Sequence, residues 1–307
     1  MDDDRTARRP TPQSPRVPPP AAVPSSLQNR AFRGSAAVRD GLLTPAQLRS
    51  RAWRRLFPGV YVDRDVVVTH ALLARAAAAV AVPDAVVTGR SAAVLWGVEL
   101  AGPGDDVELT VPPGRHPVRV PGIRVRRARL PEDQVLRHRG VPVVSPEASA
   151  VELAGRAPLE DAVIAVDRLT VAGVAVLPRV RALADRTTGP GSRRARRACA
   201  LADGRAESPQ ETRVRLLVGQ SHLPAPIAQF RVLDHGRFVA RVDFAWPERR
   251  VALEYDGIWH GDPTQFAADR ARLNRLTAAG WTVVFVTAAD LHRPSELIAR
   301  IADALAR

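Results

Sequence analysis

In the last hundred residues, apolar positions come in short alternating runs rather than at helical spacing. Phe238 to Phe244 and Val251 to Asp256 read as two strands joined through Pro247-Glu248. On the first, Val239, Arg241 and Asp243 share a face, opposite Ala240, Val242 and Phe244. On the second, Ala252, Glu254 and Asp256 share a face, opposite Val251, Leu253 and Tyr255. Ser208-Pro209-Gln210-Glu211 starts a helix that runs on through Val214, Leu217 and Val218, with Ser208 and Glu211 spaced as a capping box. Phe266 to Ala279 places Phe266, Leu273 and Leu276 on one side of a second helix, closed by Gly280. Trp281 to Thr287 is apolar on both faces and is expected to be a central strand. Helix, hairpin, helix, strand, helix over 207–307 predicts an α/β sandwich around a mixed sheet.

Upstream the pattern changes. Residues 1–31, rich in Pro, Arg, Ser and Asp, are expected to form a disordered tail. In 32–65, Phe32, Ala36, Ala37 and Val38 fit a short helix stopping at Asp40-Gly41. Thr44-Pro45-Ala46-Gln47 opens another with a cap, a proline at the first position and a capping-box glutamine. That helix is read as carrying Gln47, Arg49 and Arg51. Arg54 and Arg55, the Pro58-Gly59 turn and Val60-Tyr61-Val62 follow as a basic hairpin, which is the order of a winged helix-turn-helix. Residues 66–190 read as an α+β middle domain: helices over 69–82 and from Thr88 to near Gly97, strands at 107–111, 123–127 and 141–144, then helices over 146–154, 159–169 and 177–186. No cluster of catalytic residue types stands out in it. The strand Arg124-Val125-Arg126-Arg127 reads either as a phosphate-facing strand or as a solvated edge. Gly189-Pro190-Gly191 and the arginines after it predict a basic linker or helix over 191–206. The fold class is therefore multi-domain α/β.

Composition sharpens this picture. Hydrophobic residues make up 46% of the 307, enough for real cores, and no apolar run approaches the length of a membrane span. The N-terminus has no apolar segment of the secretory kind. The single cysteine, Cys199, excludes an intramolecular disulfide and a cysteine-built zinc site, so a cytoplasmic protein without a membrane is expected. The net charge is +13, and all 45 basic residues are arginine. A GC-rich genome accounts for the missing lysines but not for the excess of base over acid. That excess points to a polyanionic partner, DNA or RNA.

The chemistry is concentrated near the C-terminus. Asp243, Glu254 and Asp256 fall on the polar faces of neighbouring strands and converge if the register aligns them. Converging carboxylates repel unless a cation compensates, and hard oxygen ligands select Mg2+ or Mn2+. His260, four residues beyond Asp256, is placed to act as general base or proton shuttle.

These residues resemble a known family. Asp243, then Glu254 eleven residues later, then Asp256 are similar to the PD-(D/E)XK nuclease core. Val242-Asp243-Phe244 with Asp256-Gly257-Ile258-Trp259-His260 looks like the very-short-patch-repair endonucleases and their uncharacterised relatives. So do Glu207 to Glu211, Asp269-Arg270-Ala271-Arg272 and Gly280-Trp281. The resemblance covers about a third of the chain. It implies a restriction-endonuclease-like domain over 207–307, magnesium held by Asp243 with Glu254 or Asp256, Glu211 joining from its helix, and His260 as base. Where the broad nuclease family carries lysine after its second acid this chain has Asp256, leaving His260 or Arg272 to supply the charge. Upstream, Leu42 to Val62, and Gly89-Arg90-Ser91-Ala92-Ala93 with Leu95-Trp96-Gly97, resemble AbiEi-type antitoxins over roughly 32–170. That resemblance implies a winged-helix regulator of a toxin–antitoxin system and DNA binding, with a toxin partner or none.

The sequence thus supports a DNA-binding protein whose C-terminal domain hydrolyses phosphodiester bonds. Gln47, Arg49, Arg51, Arg54, Arg55, Arg241, Arg270 and Arg272 are its candidate nucleic-acid contacts. The alternative is a regulator or antitoxin whose nuclease fold has lost activity, and a third is an RNA-directed nuclease. Oligomeric state is open.

Overall fold

A computed structural model describes residues 23–115, 119–256 and 263–307, with the side chains of 263–269 excepted. The chain divides into two compact units, 1–67 and 68–307.

In the first unit, strand β1 (Phe32–Arg33) leads into helix α1 (Gly34–Arg39), then α2 (Pro45–Leu48) and the hairpin β2 (Trp53–Phe57) and β3 (Val60–Asp63), in sheet order β1-β3-β2. The Thr44–Gln47 capping box forms in both directions, with the Gln47 N–H donating to Oγ1 of Thr44 at 3.2 Å and the Thr44 N–H to Oε1 of Gln47 at 2.8 Å. Helix α2 ends at Leu48, so Arg49 is its C-cap and Arg51 lies beyond it. The disordered-tail expectation falls partly on residues 1–22, outside the described residues. At Leu27 it is corrected: this side chain is buried with Phe32, Ala37, Leu43, Ala52 and Trp53, because the small core needs its apolar surface.

The second unit begins with α3 (His70–Ala76), prolonged by a π-turn at Ala77–Ala81. A five-stranded sheet follows, in order β6-β5-β4-β8-β7: β4 (Val86–Val87), β5 (Val107–Val111), β6 (Ile123–Arg127), β7 (Val135–His138) and β8 (Val141–Val144). Helix α4 (Gly89–Leu95) lies between β4 and β5 in the chain. Strand β6 is an edge, and the guanidinium of Arg126 on it donates to Glu152 at 2.8 Å. Four helices then share one core: α5 (Pro146–Arg156), α6 (Leu159–Val171), α7 (Leu177–Arg186) and α8 (Ser192–Leu201). The stretch expected as linker or basic helix is α8, and its Ala195, Ala198 and Cys199 are buried in that core. Burial pushes the Cys199 thiol up to about 11. Native protein at pH 8 is therefore expected to resist a thiol-specific chromogenic reagent and to titrate one thiol only on unfolding.

The C-terminal region holds α9 (Pro209–Gly219), β9 (Ile227–Asp234), β10 (Arg237–Trp246), β11 (Val251–Tyr255), α10 (Pro263–Ala278), β12 (Thr282–Val286), α11 (Ala288–Leu291) and α12 (Pro294–Ala306). Its sheet order is β12-β11-β10-β9, parallel between β11 and β12 and antiparallel elsewhere, so the sheet is mixed. Phe244, Trp246, Val251, Leu253, Val284 and Val286 pack on one side with Val214 and Val218 of α9 and Leu297 and Ile301 of α12. Ala245 and Ala252 pack with Leu276 of α10. The expectation that the Trp281–Thr287 strand is central is corrected. Among the described residues it pairs with β11 alone and forms an edge; Val284 and Val286 pack toward α9 and α12 and Val283 toward α10, while Phe285 is exposed.

Helix α9 also joins the two halves of this unit. Leu216 belongs to the core of α5–α8. Asp167 of α6, fully buried, accepts hydrogen bonds from the Asp203 and Gly204 N–H groups (2.9 and 3.0 Å), from Oγ1 of Thr212 (2.9 Å) and from the Arg215 guanidinium (2.7 Å).

Candidate functional site

The site is set by register. Phe244 pairs with Leu253, so Asp243 and Glu254, the next residue on each strand, stand side by side on the face of Ala245 and Ala252. On the other side of β10, Asp243 falls between the pairs Val242–Phe230 and Phe244–Ala228, which puts it level with Gln229 of β9. One row across the sheet therefore reads Gln229, Asp243, Glu254. The backbone N–H of Tyr255 donates to Oδ2 of Asp243 at 2.8 Å.

Glu211 reaches the row from the first turn of α9. Ser208 caps the helix, its Oγ accepting from the Glu211 N–H at 3.2 Å. The return bond of the expected capping box is displaced by one residue: Oε2 of Glu211 accepts from the Glu207 N–H and from Nε2 of Gln229, both at 2.9 Å. Both Glu211 and Glu254 are buried. From the other side Arg272 of α10 forks onto Glu254, its two terminal nitrogens 2.6 and 2.5 Å from the two carboxylate oxygens.

Burial pushes the Asp243 carboxyl above its ordinary range, against the Tyr255 N–H, and the charge of Glu254 adds to the rise while Arg272 opposes it. Glu211 is pushed the same way by burial, against the Glu207 N–H, with the charge of Asp243 adding to the rise. Among the described residues Glu211, Asp243 and Glu254 thus meet one guanidinium, that of Arg272, which is bonded to Glu254, while Glu207 beside them is paired with Arg241. Carboxylates held in this way favour either protonation or a cation.

Asp256 stands just past the end of β11. Its N–H donates to the Val286 carbonyl at 2.7 Å and its side chain is exposed, so it does not join the row. Among the described residues, no group of three or more His, Cys, Asp or Glu side chains is arranged to share a metal ion. His260 lies outside the described residues. Arg241 is paired with Glu207 at 2.7 Å and Arg270 is exposed on α10.

Gln229 was not legible as a site residue. Its φ of +53° lies in the left-handed region that non-glycine residues rarely adopt. The alternation Gln229-Phe230-Arg231-Val232 was the available signal for its strand.

In the first unit Gln47, Arg49, Arg51, Arg54 and Arg55 are all exposed. Arg54 and Arg55 are both exposed because the register shifts between Arg55 and Phe57, which breaks the usual alternation. Among the described residues none of these four arginines forms an ion pair.

Residues 85–201 match the AbiEi antitoxin C-terminal domain, a region that takes in α4, the five-stranded sheet and α5–α8. Two curated proteins of Mycobacterium tuberculosis, the uncharacterized proteins MT2308 (strain CDC 1551 / Oshkosh) and Rv2248 (strain ATCC 25618 / H37Rv), are each 44% identical over 115 residues. The match takes in 37% of this chain and 42% of each relative, so the chain spans less than half the length of the curated relatives it matches. A crystal structure of the RV2827C protein from Mycobacterium tuberculosis aligns with 67% of this chain and 84% of its own at 14% identity, with a TM-score of 0.38. No helix among the described residues is long and apolar enough to cross a membrane.

Proposed function

We propose that this is a DNA-binding protein of the antitoxin-regulator kind whose residues 207–307 carry a cation-dependent phosphodiester-hydrolysing site. The observation that carries the catalytic part is half-buried Asp243 standing between buried Glu211 and Glu254, with Arg272 on Glu254. The charge balance fits a divalent cation, because burial and mutual repulsion push Glu211 and Asp243 up and no guanidinium hydrogen-bonds either of them among the described residues. Asp243 and Glu211 would hold Mg2+ or Mn2+, with Glu254 beside them. A bound ion of this kind supplies an activated water and neutralises charge on a phosphate oxygen. Arg272 supplies the positive charge that lysine provides in the broad nuclease family. His260, four residues beyond Asp256 in the sequence, would serve as general base or proton shuttle. Calorimetric titration with MgCl2 and MnCl2 tests this: uptake by the wild type and none by Asp243→Asn is expected, and no uptake by either removes the catalytic part.

DNA binding is supported by the +13 charge and by the exposed arginines of the first unit, which we read as a winged helix-turn-helix with β2–β3 as its wing. Replacing Arg54 and Arg55 together with alanine is expected to weaken DNA binding across sequences. It should also reduce the slope of log affinity against log salt by roughly 1 per arginine in filter-binding or anisotropy titrations.

The second reading, a non-catalytic antitoxin or regulator with a toxin partner, is favoured by the match of residues 85–201. Under it the protein binds DNA and takes up no metal.

A further inference from the structure

A cleft of about 550 Å³ opens between the β6–β8 side of the five-stranded sheet and helices α5, α7 and α8, inside the antitoxin-like region and apart from the carboxylate row. This volume falls in the roughly 300–1,000 Å³ range of small-molecule sites. Val144, Val151 and Leu183 give its lining an apolar part. Arg126, Arg129, Arg156 and Arg186 also line it, against only Asp133 and Glu152.

The arginines differ in how they are engaged. Arg126 and Arg156 both donate to Oε1 of Glu152, at 2.8 and 3.0 Å. Nε of Arg126 is nevertheless buried without a hydrogen-bond partner, a costly state for a donor. Arg129 and Arg186 are exposed and make no ion pair among the described residues.

The backbone adds to this positive potential. Helix α8 starts at the cleft, with Gly191 and Ser192 among the lining residues. Its first turn holds no acid but does hold Arg193 and Arg194, cations at the positive end of the helix dipole. An anion in the cleft would offset that mismatch. Gly191 makes the entry possible: its φ is +87°, and a Cβ there would lie 2.6 Å from the Gly155 carbonyl oxygen.

We propose that this cleft binds a small phosphorylated ligand with an apolar body, of nucleoside-monophosphate size, as an effector of the antitoxin-like region. A concave site with an apolar lining suits a base or other flat group beside its phosphate.

Calorimetry of the full chain with AMP, GMP, CMP, UMP and inorganic phosphate tests this. Arg129→Ala and Arg186→Ala serve as variants, and Arg179→Ala is an exposed control outside the lining. Neither variant removes a hydrogen bond made within the fold among the described residues, so both are expected to fold. The expected result is binding of at least one mononucleotide more tightly than inorganic phosphate, weakened at least about tenfold by each cleft variant and unchanged in the control. No mononucleotide binding at millimolar concentration overturns the proposal, as does binding indifferent to both variants. If the two variants weaken duplex DNA binding while no mononucleotide binds, the cleft belongs to a DNA surface and the proposal is likewise overturned. None of these outcomes depends on the carboxylate row being catalytic.

Discussion

Asp167→Ala is expected to lower the stability of the 68–307 unit by about 3–5 kcal/mol, the usual cost of removing one partner from a buried ion pair. The Asp167 side chain is 1% exposed and the Arg215 guanidinium it holds is 17% exposed. Alanine leaves that guanidinium without its closest acid and orphans the Asp203 and Gly204 N–H groups and the Thr212 hydroxyl. For a unit of this size the thermal midpoint should fall by on the order of 10 °C. Thr212→Val removes one of the four bonds and should cost roughly 1 kcal/mol. Differential scanning calorimetry of both variants decides the matter; a midpoint shift in Asp167→Ala no larger than in Thr212→Val would mean that Asp167 is not the tie between the helical layer and α9.

Asp243→Asn is expected to have opposite effects on stability and on activity. Because the folded carboxyl is raised above its ordinary value, the unfolded chain ionises first as pH rises. Metal-free stability due to this group is thus fully present below about pH 4, the ordinary aspartate value, and declines until the folded carboxyl has ionised. Glu211 is raised in the same direction, so the wild type without metal should lose stability as pH climbs from about 4 toward neutrality. Asparagine at 243 keeps the shape, removes one ionisation and relieves Glu211 of its neighbouring charge. The metal-free variant should therefore unfold at a higher temperature than the wild type at pH 7, and the two should converge at acid pH. Mg2+ should raise the midpoint of the wild type and leave that of the variant nearly unchanged. Any cleavage should fall by at least on the order of 10²-fold. A variant less stable than the wild type at neutral pH without metal would show that Asp243 is held by favourable contacts rather than strained by its neighbours.

How much of this could be read from the sequence depends on the range over which each feature is encoded. The Thr44–Gln47 box, the Ala-rich helix after Thr69 and the strand at 107–111 are specified by residues a few positions apart, and all three form. The alignment of Asp243 with Glu254 also follows from local alternation once the hairpin is recognised. Three features were not legible because they depend on partners far along the chain. Burial of Leu27 needs the core built by Phe32 and Trp53. The edge position of β12 depends on which strands pair, not on the apolarity of Val283 to Val286. Asp167 looks like one polar residue of an amphipathic helix until α9, more than forty residues later, brings Thr212 and Arg215 to it. Gln229 escaped for a different reason. Its left-handed backbone is one that a non-glycine side chain does not favour, so nothing local announces it.

Whether the purified full chain nicks supercoiled plasmid DNA in Mg2+ or Mn2+ decides whether residues 207–307 are catalytic. Nicking by the wild type, abolished by chelator and by Asp243→Asn while DNA binding persists, is the result predicted. DNA bound with unchanged affinity, but no strand break in either metal at any protein concentration, would contradict the catalytic claim and leave a DNA-binding regulator.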